Sequence, residues 1–226
     1  MHRPFHLTKK EFQVERLVFF SDAVFAIAIT LLIIEIKVPE IEGAVTENGF
    51  LKSLILIVPK FVGFILSFFI IGLYWFIHHR MFGYVTGQNG KLIWINLVFL
   101  FSIVLMPFST AIYSEYSTPH HIHLITPYMI YVLNICLTGF LNYMLWKYIG
   151  NFSNGVISEK FDDQFLRNAK LRSLLIPFIF LLSLLVAIIV NPIIGRFVLC
   201  FIPLIMRLVR NKKVVIENNQ SSTALP

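Results

Sequence analysis

The sequence predicts an all-α polytopic membrane protein with six transmembrane helices per subunit. Three observations predict it. The 226 residues are 57% hydrophobic and only 14% charged, against about 25% charged in a soluble domain, too few ionic groups to cover a water-exposed surface. The mean hydropathy is +0.77. The apolar residues fall in six runs, most near the ~20 residues a helix needs to cross the hydrocarbon core. This composition excludes an ordinary soluble enzyme and a disordered chain.

The runs fall at 17–37, 53–78, 91–113, 126–149, 171–190 and 193–210. The first follows sixteen polar residues and has no small-residue cleavage site behind it, so it reads as a membrane helix and not a signal peptide. The fifth and sixth are joined by a tight hairpin at Asn191-Pro192, a turn signal. Arg196 interrupts the sixth, near enough to its end to snorkel toward the interface. The chain therefore divides into an N-terminal segment 1–16, a membrane domain 17–210 and a tail 211–226. Cys136 and Cys200 sit inside apolar runs and read as small hydrophobes.

Charge placement sets the orientation. With both termini cytoplasmic, Arg3, Lys9, Lys10 and Arg16 lie inside, as do Arg80 and Lys91 between helices two and three. So do Lys147, Lys160, Arg167, Lys170 and Arg172 after helix four, and Arg207, Arg210, Lys212 and Lys213 at the end. Only Lys37, Lys52, Lys60 and Arg196 remain on or near the other side, where Glu40, Glu42 and Glu47 make the first loop acidic. The formal +7 is thus the cytoplasmic excess of Lys and Arg in a membrane protein, and no nucleic-acid partner is implied.

The polar residues inside apolar runs carry the chemistry. Helix one holds Ser21 and Asp22, with Arg16 one and a half turns earlier; a charge in the bilayer requires a partner or water. At about 100° per residue, Ile27, Leu31 and Ile34 form one stripe with Thr30 at its edge, and Asp22 lies about 140° from Ile27. If the stripe faces an axis, Asp22 faces neighbouring helices. Helix two ends in Tyr74, Trp75, His78, His79 and Arg80, an interfacial belt whose His and Arg are candidate partners for Asp22. Asn96 in helix three calls for a hydrogen bond to another helix. His120, His121 and His123 have no cysteine nearby and no carboxylate nearer than Glu115 to complete a metal site. No nucleotide-binding, zinc-hydrolase or serine-hydrolase motif occurs, nor a TVGYG filter, so no enzyme, cofactor or carbonyl-filter channel is indicated.

At Arg16-x-x-x-Phe20-Ser21-Asp22 the chain resembles the transmembrane protein 175 family of potassium channels. The likeness continues through the AVFAIAIT run, the W-x-x-H-H at the end of helix two, and W-x-N followed by P-F-x-T in helix three, roughly residues 10–115. It implies a six-helix subunit, a homotetramer, and a central pore lined by helix one, with hydrophobic rings in place of a carbonyl filter. By motif, Ile27 is the constriction, Leu31 and Ile34 continue the apolar lining, and Thr30 is the hydroxyl layer tied to potassium preference. Arg16, Phe20, Ser21 and Asp22 then belong to a network bracing helix one, with Trp75, His78 and Asn96 as members. Glu35 stands near the outer mouth. Animal members carry two motif sets per chain and this sequence carries one, which implies a short prokaryotic type in a bacterial plasma membrane.

Two other classes fit the residues alone. A proton-coupled secondary transporter would use Asp22 as its relay, and a non-transporting scaffold would use the polar network only to hold helices together. Potassium ions and the lipid bilayer are the partners implied by the first reading.

Overall fold

The computed structural model describes residues 9–39, 46–118 and 121–197. These fold into α1 (Lys9–Ile34), α2 (Glu47–Phe82), α3 (Gly90–Glu115), α4 (Thr126–Ile149), α5 (Asp163–Ile189) and a short α6 (Pro192–Phe197). Among the described residues α1 to α5 are long and apolar enough to cross a membrane. The sixth expected span begins in α6, and its residues from 198 onward lie outside the described region. So do Arg3, Glu40, Glu42, His120, Cys200 and the C-terminal basic residues.

The α4 bounds coincide with the apolar run, α2 and α3 outrun theirs at both ends, and α1 and α5 begin earlier than theirs but end at Ile34 and Ile189, short of residues 37 and 190. The extra turns are set by polar capping. Thr46 accepts the Gly49 amide at the start of α2, Asn89 accepts the Leu92 amide at 2.9 Å, and Asp162 accepts the Phe165 amide at 2.9 Å. Each side chain satisfies an amide that the first helical turn leaves unpaired. At 1.5 Å per residue, Arg16 to Glu35 spans about 28 Å and Lys60 to Arg80 about 30 Å, close to the thickness of the hydrocarbon core.

The helices pack in series. α1 lies on α2 and α3, α3 on α4, α4 on α5, and α5 on α6. The shared core holds Phe25, Tyr74, Phe99, Met106, Tyr131 and Phe180, all fully or nearly buried. Hydroxyl groups stitch it across helices. Thr110 donates to Ser67 at 2.7 Å, and Ser67 pairs with the Tyr131 hydroxyl at 2.9 Å. Tyr128 pairs with Ser183, which donates to the Gly195 carbonyl. Such bonds hold helices together where apolar contact with a neighbour has no advantage over contact with lipid.

Arg196 does not point outward toward the interface as the sequence alone implied. Its guanidinium turns onto the α3–α4 connection, donating to the Ile122 carbonyl at 2.7 Å and lying 5.3 Å from the centre of the Tyr128 ring. The loop carbonyls and the ring face offer a donor-rich cation partners that lipid does not.

The α2–α3 and α4–α5 connections clasp each other. The Thr86 amide donates to the Val156 carbonyl at 3.0 Å, the Asn89 amide group donates to the Asn154 carbonyl at 3.1 Å, and the Tyr148 hydroxyl donates to Asn89 at 2.9 Å. Gly155 takes φ 66°, the left-handed conformation that closes this turn without a side-chain clash.

Candidate functional site: two faces of the first helix

α1 carries two lengthwise seams on opposite sides. Val14, Leu17, Ser21, Phe25, Ala28 and Leu32 are buried and pack on α2 and α3. Phe20, Ala23, Ile27, Thr30 and Ile34 are all exposed in the single chain, and Arg16 begins the same line. Both series advance by steps of three and four residues, which keeps each on one face of a helix. Ile27 is 59% exposed and Ile34 68%. Leu31, at the flank, is 40% exposed. Nothing among the described residues covers this second seam.

The buried seam is anchored by a short polar chain. Ser21 donates to the Leu17 carbonyl at 2.8 Å, Asn96 donates its amide hydrogen to Ser21 at 2.9 Å, and the Asn96 oxygen meets His78 Nε2 at 2.8 Å. All three side chains are fully buried. Because the Asn96 oxygen only accepts, His78 must carry its proton on Nε2. Its Nδ1 has no partner. The ring is packed between Phe82, with centroids 4.2 Å apart, and Phe99 at 5.7 Å. A second proton on Nδ1 would be buried without an acceptor, so this site holds a neutral imidazole.

Asp22 stands apart from that chain. It is half-buried on the flank of α1 that faces α2, and it accepts the Trp75 indole N–H at 2.9 Å. It forms no ion pair with Arg16, His78, His79 or Arg80 among the described residues. Arg80 lies over the Phe76 ring and His79 against Trp75. The network expected from the sequence is therefore two separate contacts. Arg16 and Phe20 join neither within the chain, because their positions on the helix turn them to the free seam. Sequence order shows which residues share a face of one helix but not which face of the next helix meets it.

Thr30 donates its hydroxyl proton to the Ile27 carbonyl at 2.9 Å. With the proton held against the helix, the oxygen's lone pairs point away from it. Glu35 is exposed just past the C-terminal end of α1. Among the described residues no three His, Cys, Asp or Glu side chains gather as metal ligands; His121 pairs with Thr118 instead.

The Ser67–Thr110–Tyr131 cluster and the Arg196 latch were missed by the sequence reading. Ser, Thr and Tyr within an apolar run give little signal, since each is at home there singly. Only the convergence of three helices makes them a cluster.

Removing the middle of the buried chain is expected to be costly. Asn96→Ala leaves both Ser21 and His78 short of a partner and should destabilise the protein by about 2–4 kcal/mol, an unpaired buried polar group costing about 1–3 kcal/mol. Thermal unfolding in detergent measures this, and an unchanged midpoint would remove Asn96 from the anchor. Trp75→Phe, which removes only the partly exposed bond to Asp22, should cost less.

Comparison with known proteins agrees with this architecture. Residues 16–107 match the sequence profile of the family described as endosomal/lysosomal potassium channel TMEM175. A protein named as a potassium channel from Streptomyces collinus is 41% identical over 97 residues, 43% of this chain and 46% of that one. An endosomal/lysosomal proton channel TMEM175 from Gallus gallus is 35% identical over 112 residues, 47% of this chain and 22% of that one. The crystal structure of a lysosomal potassium-selective channel TMEM175 homolog from Chamaesiphon minutus superposes with a TM-score of 0.72 at 26% identity, over 88% of this chain and 99% of that one. The chain spans about half the length of the bacterial curated relatives it matches. The resemblance carried by Arg16, Phe20, Ser21 and Asp22 is borne out by these matches.

Proposed function

We propose that this chain is a subunit of a potassium-selective channel of the TMEM175 family, in which copies of α1 surround a central pore. The observation that carries the reading is the free seam of α1. It is apolar except for Arg16 and Thr30, and it lies opposite the seam that fastens the helix to its own subunit. A helix bound on one side and bare on the other is suited to line an axis shared by several copies, here four. The likeness to a potassium-selective homolog over nearly the whole chain supports the same assignment.

In this arrangement four Ile27 side chains form the constriction, with Leu31 and Ile34 continuing the lining outward. Apolar rings gate by dewetting, because an ion cannot give up its hydration to isoleucine without replacement ligands. Thr30 supplies the replacement: its proton is committed to the Ile27 carbonyl, and its oxygen faces the pore as a weak cation ligand. Hydroxyl rings coordinate more loosely than a carbonyl filter, so the preference for potassium over sodium is real but modest. Glu35 stands at the flank of the outer mouth. The buried chain through Ser21, Asn96 and His78 holds α1 in register against α2 and α3. Asp22, bound to Trp75, sits off the pore axis, which argues against its use as a proton relay. The subunit resides in a bacterial plasma membrane with both termini in the cytoplasm.

The test is ion flux through purified protein in proteoliposomes, with potassium, sodium and a pH gradient in separate runs. Potassium flux that exceeds sodium flux and needs no proton gradient is expected. Flux driven only by pH would transfer the assignment to proton transport. No flux from wild type or from Ile27→Asn would leave a scaffold. Thr30→Val should bring the reversal potential between potassium and sodium several-fold closer to the non-selective value; an unshifted potential would remove Thr30 from selectivity.

A further inference from the structure

The outer end of the subunit contains a cleft that the pore reading does not use. It encloses about 370 Å³ between the end of α1 and the outer halves of α2 and α3. Its inner wall is apolar, formed by Leu32, Ile36, Phe64 and Ile112. Its rim carries both signs of charge: Glu35 and Lys37 from the end of α1, Lys60 from α2 and Glu115 from α3. Lys60 and Glu115 pair at 2.5 Å, with the Lys60 side chain only 19% exposed. Glu35 and Lys37 are exposed and take part in none of the described ion pairs. Ser114, also in the wall, keeps a buried hydroxyl with no partner.

Depth in the membrane identifies the occupant. With both termini cytoplasmic, as proposed above, Glu35 and Lys60 fall near the outer edge of the hydrocarbon core, each about 30 Å along its helix from Arg16 or Arg80. The charged rim therefore sits at the level of the outer lipid headgroups and the apolar wall at the level of the acyl chains. A free anion or metal ion would have no use for the wall, and a detached hydrocarbon none for the rim.

We propose that this cleft binds a membrane phospholipid whose headgroup pairs a phosphate with a primary ammonium. The Lys37 ammonium, with Lys60 beside it, meets the phosphate. The Glu35 carboxylate accepts N–H bonds from the headgroup ammonium, and one acyl chain lies along Leu32, Ile36 and Phe64. An ammonium offers three N–H donors to a carboxylate, whereas a quaternary choline offers none and a glycerol headgroup has no positive charge. The lipid then bridges α1 to the α2–α3 pair at the end farthest from the buried Ser21–Asn96–His78 anchor. Its ammonium also neutralises the Glu35 charge at the outer mouth.

The site rests on the membrane placement of the helices and is independent of the ion conducted, so lipid retention tests it without flux. Purified protein is exchanged into mixed micelles holding equal amounts of phosphatidylethanolamine, phosphatidylcholine and phosphatidylglycerol, and bound lipid is read by native mass spectrometry. Wild type should retain phosphatidylethanolamine several-fold over the other two. The double variant Glu35→Gln, Lys37→Gln changes two exposed side chains and should fold normally; it is expected to lose that preference. Equal retention of the three lipids by wild type overturns the proposal, as does a preference for phosphatidylglycerol. A phosphatidylethanolamine preference that survives in the double variant places the lipid elsewhere and overturns this site. Failure of potassium flux with the lipid preference intact would count against the channel reading alone.

Discussion

Ile27→Asn is expected to increase potassium flux through reconstituted protein by about tenfold or more and to abolish most of its preference over sodium, since a polar ring wets a constriction that isoleucine keeps dry. In the proposed tetramer the effect is large because symmetry multiplies it: one codon would change four side chains at the same height of the pore. The free seam makes the substitution structurally mild. Ile27 is 59% exposed in the single chain, so asparagine there displaces no intrasubunit packing. A gain in flux with an unaltered thermal unfolding midpoint is thus the expected pair of results, measured in the same proteoliposome assay and by detergent melts. Unchanged flux would remove Ile27 from the gate and weaken the assignment of α1 to the pore.

The second large effect concerns the fold. Gly139→Ala should destabilise the subunit by about 1–3 kcal/mol or block its assembly, the usual range for overpacking a core. A Cβ at Gly139 would stand 2.0 Å from Cγ of Pro177 and 3.0 Å from the Ser173 carbonyl oxygen. Neither can yield. The proline ring is rigid, and the carbonyl is main chain in the turn where Pro177 removes the usual amide donor. Relief requires moving α4 away from α5 along their contact. Gly72→Ala is the matched control, because a Cβ there meets nothing within 4 Å. Comparing the two by melting and size-exclusion chromatography separates a packing requirement from a general intolerance of substitution. Equal behaviour of the two variants would show that α4 and α5 do not approach as closely as described.

Much of the membrane architecture is legible in the linear chain. Hydropathy locates α1 to α5 because each must present apolar surface to lipid along its length, and it places α4 to the residue. It misses the starts of α2, α3 and α5, since Thr46, Asn89 and Asp162 carry these helices past the apolar runs, and hydropathy does not register a cap. Ser21, His78 and Asn96 are legible one at a time as polar groups in apolar surroundings. Their order of contact is not: Asp22 adjoins Ser21 in sequence, yet at about 100° per residue it faces Trp75 while Ser21 faces Asn96. Arg196 is legible as an anomaly but not as a latch, because its partners are backbone carbonyls of a loop seventy residues earlier.

The clasp between the α2–α3 and α4–α5 connections has a practical consequence. Asn89 at once starts α3, accepts from Tyr148 and donates to Asn154, so one amide side chain gathers three stretches of chain. Inserted tags, reporter domains or protease sites at 83–89 or 150–158 would pry apart contacts that set the spacing of α3 and α4. The α1–α2 connection carries no such tie among its described residues and is the better place to graft a label.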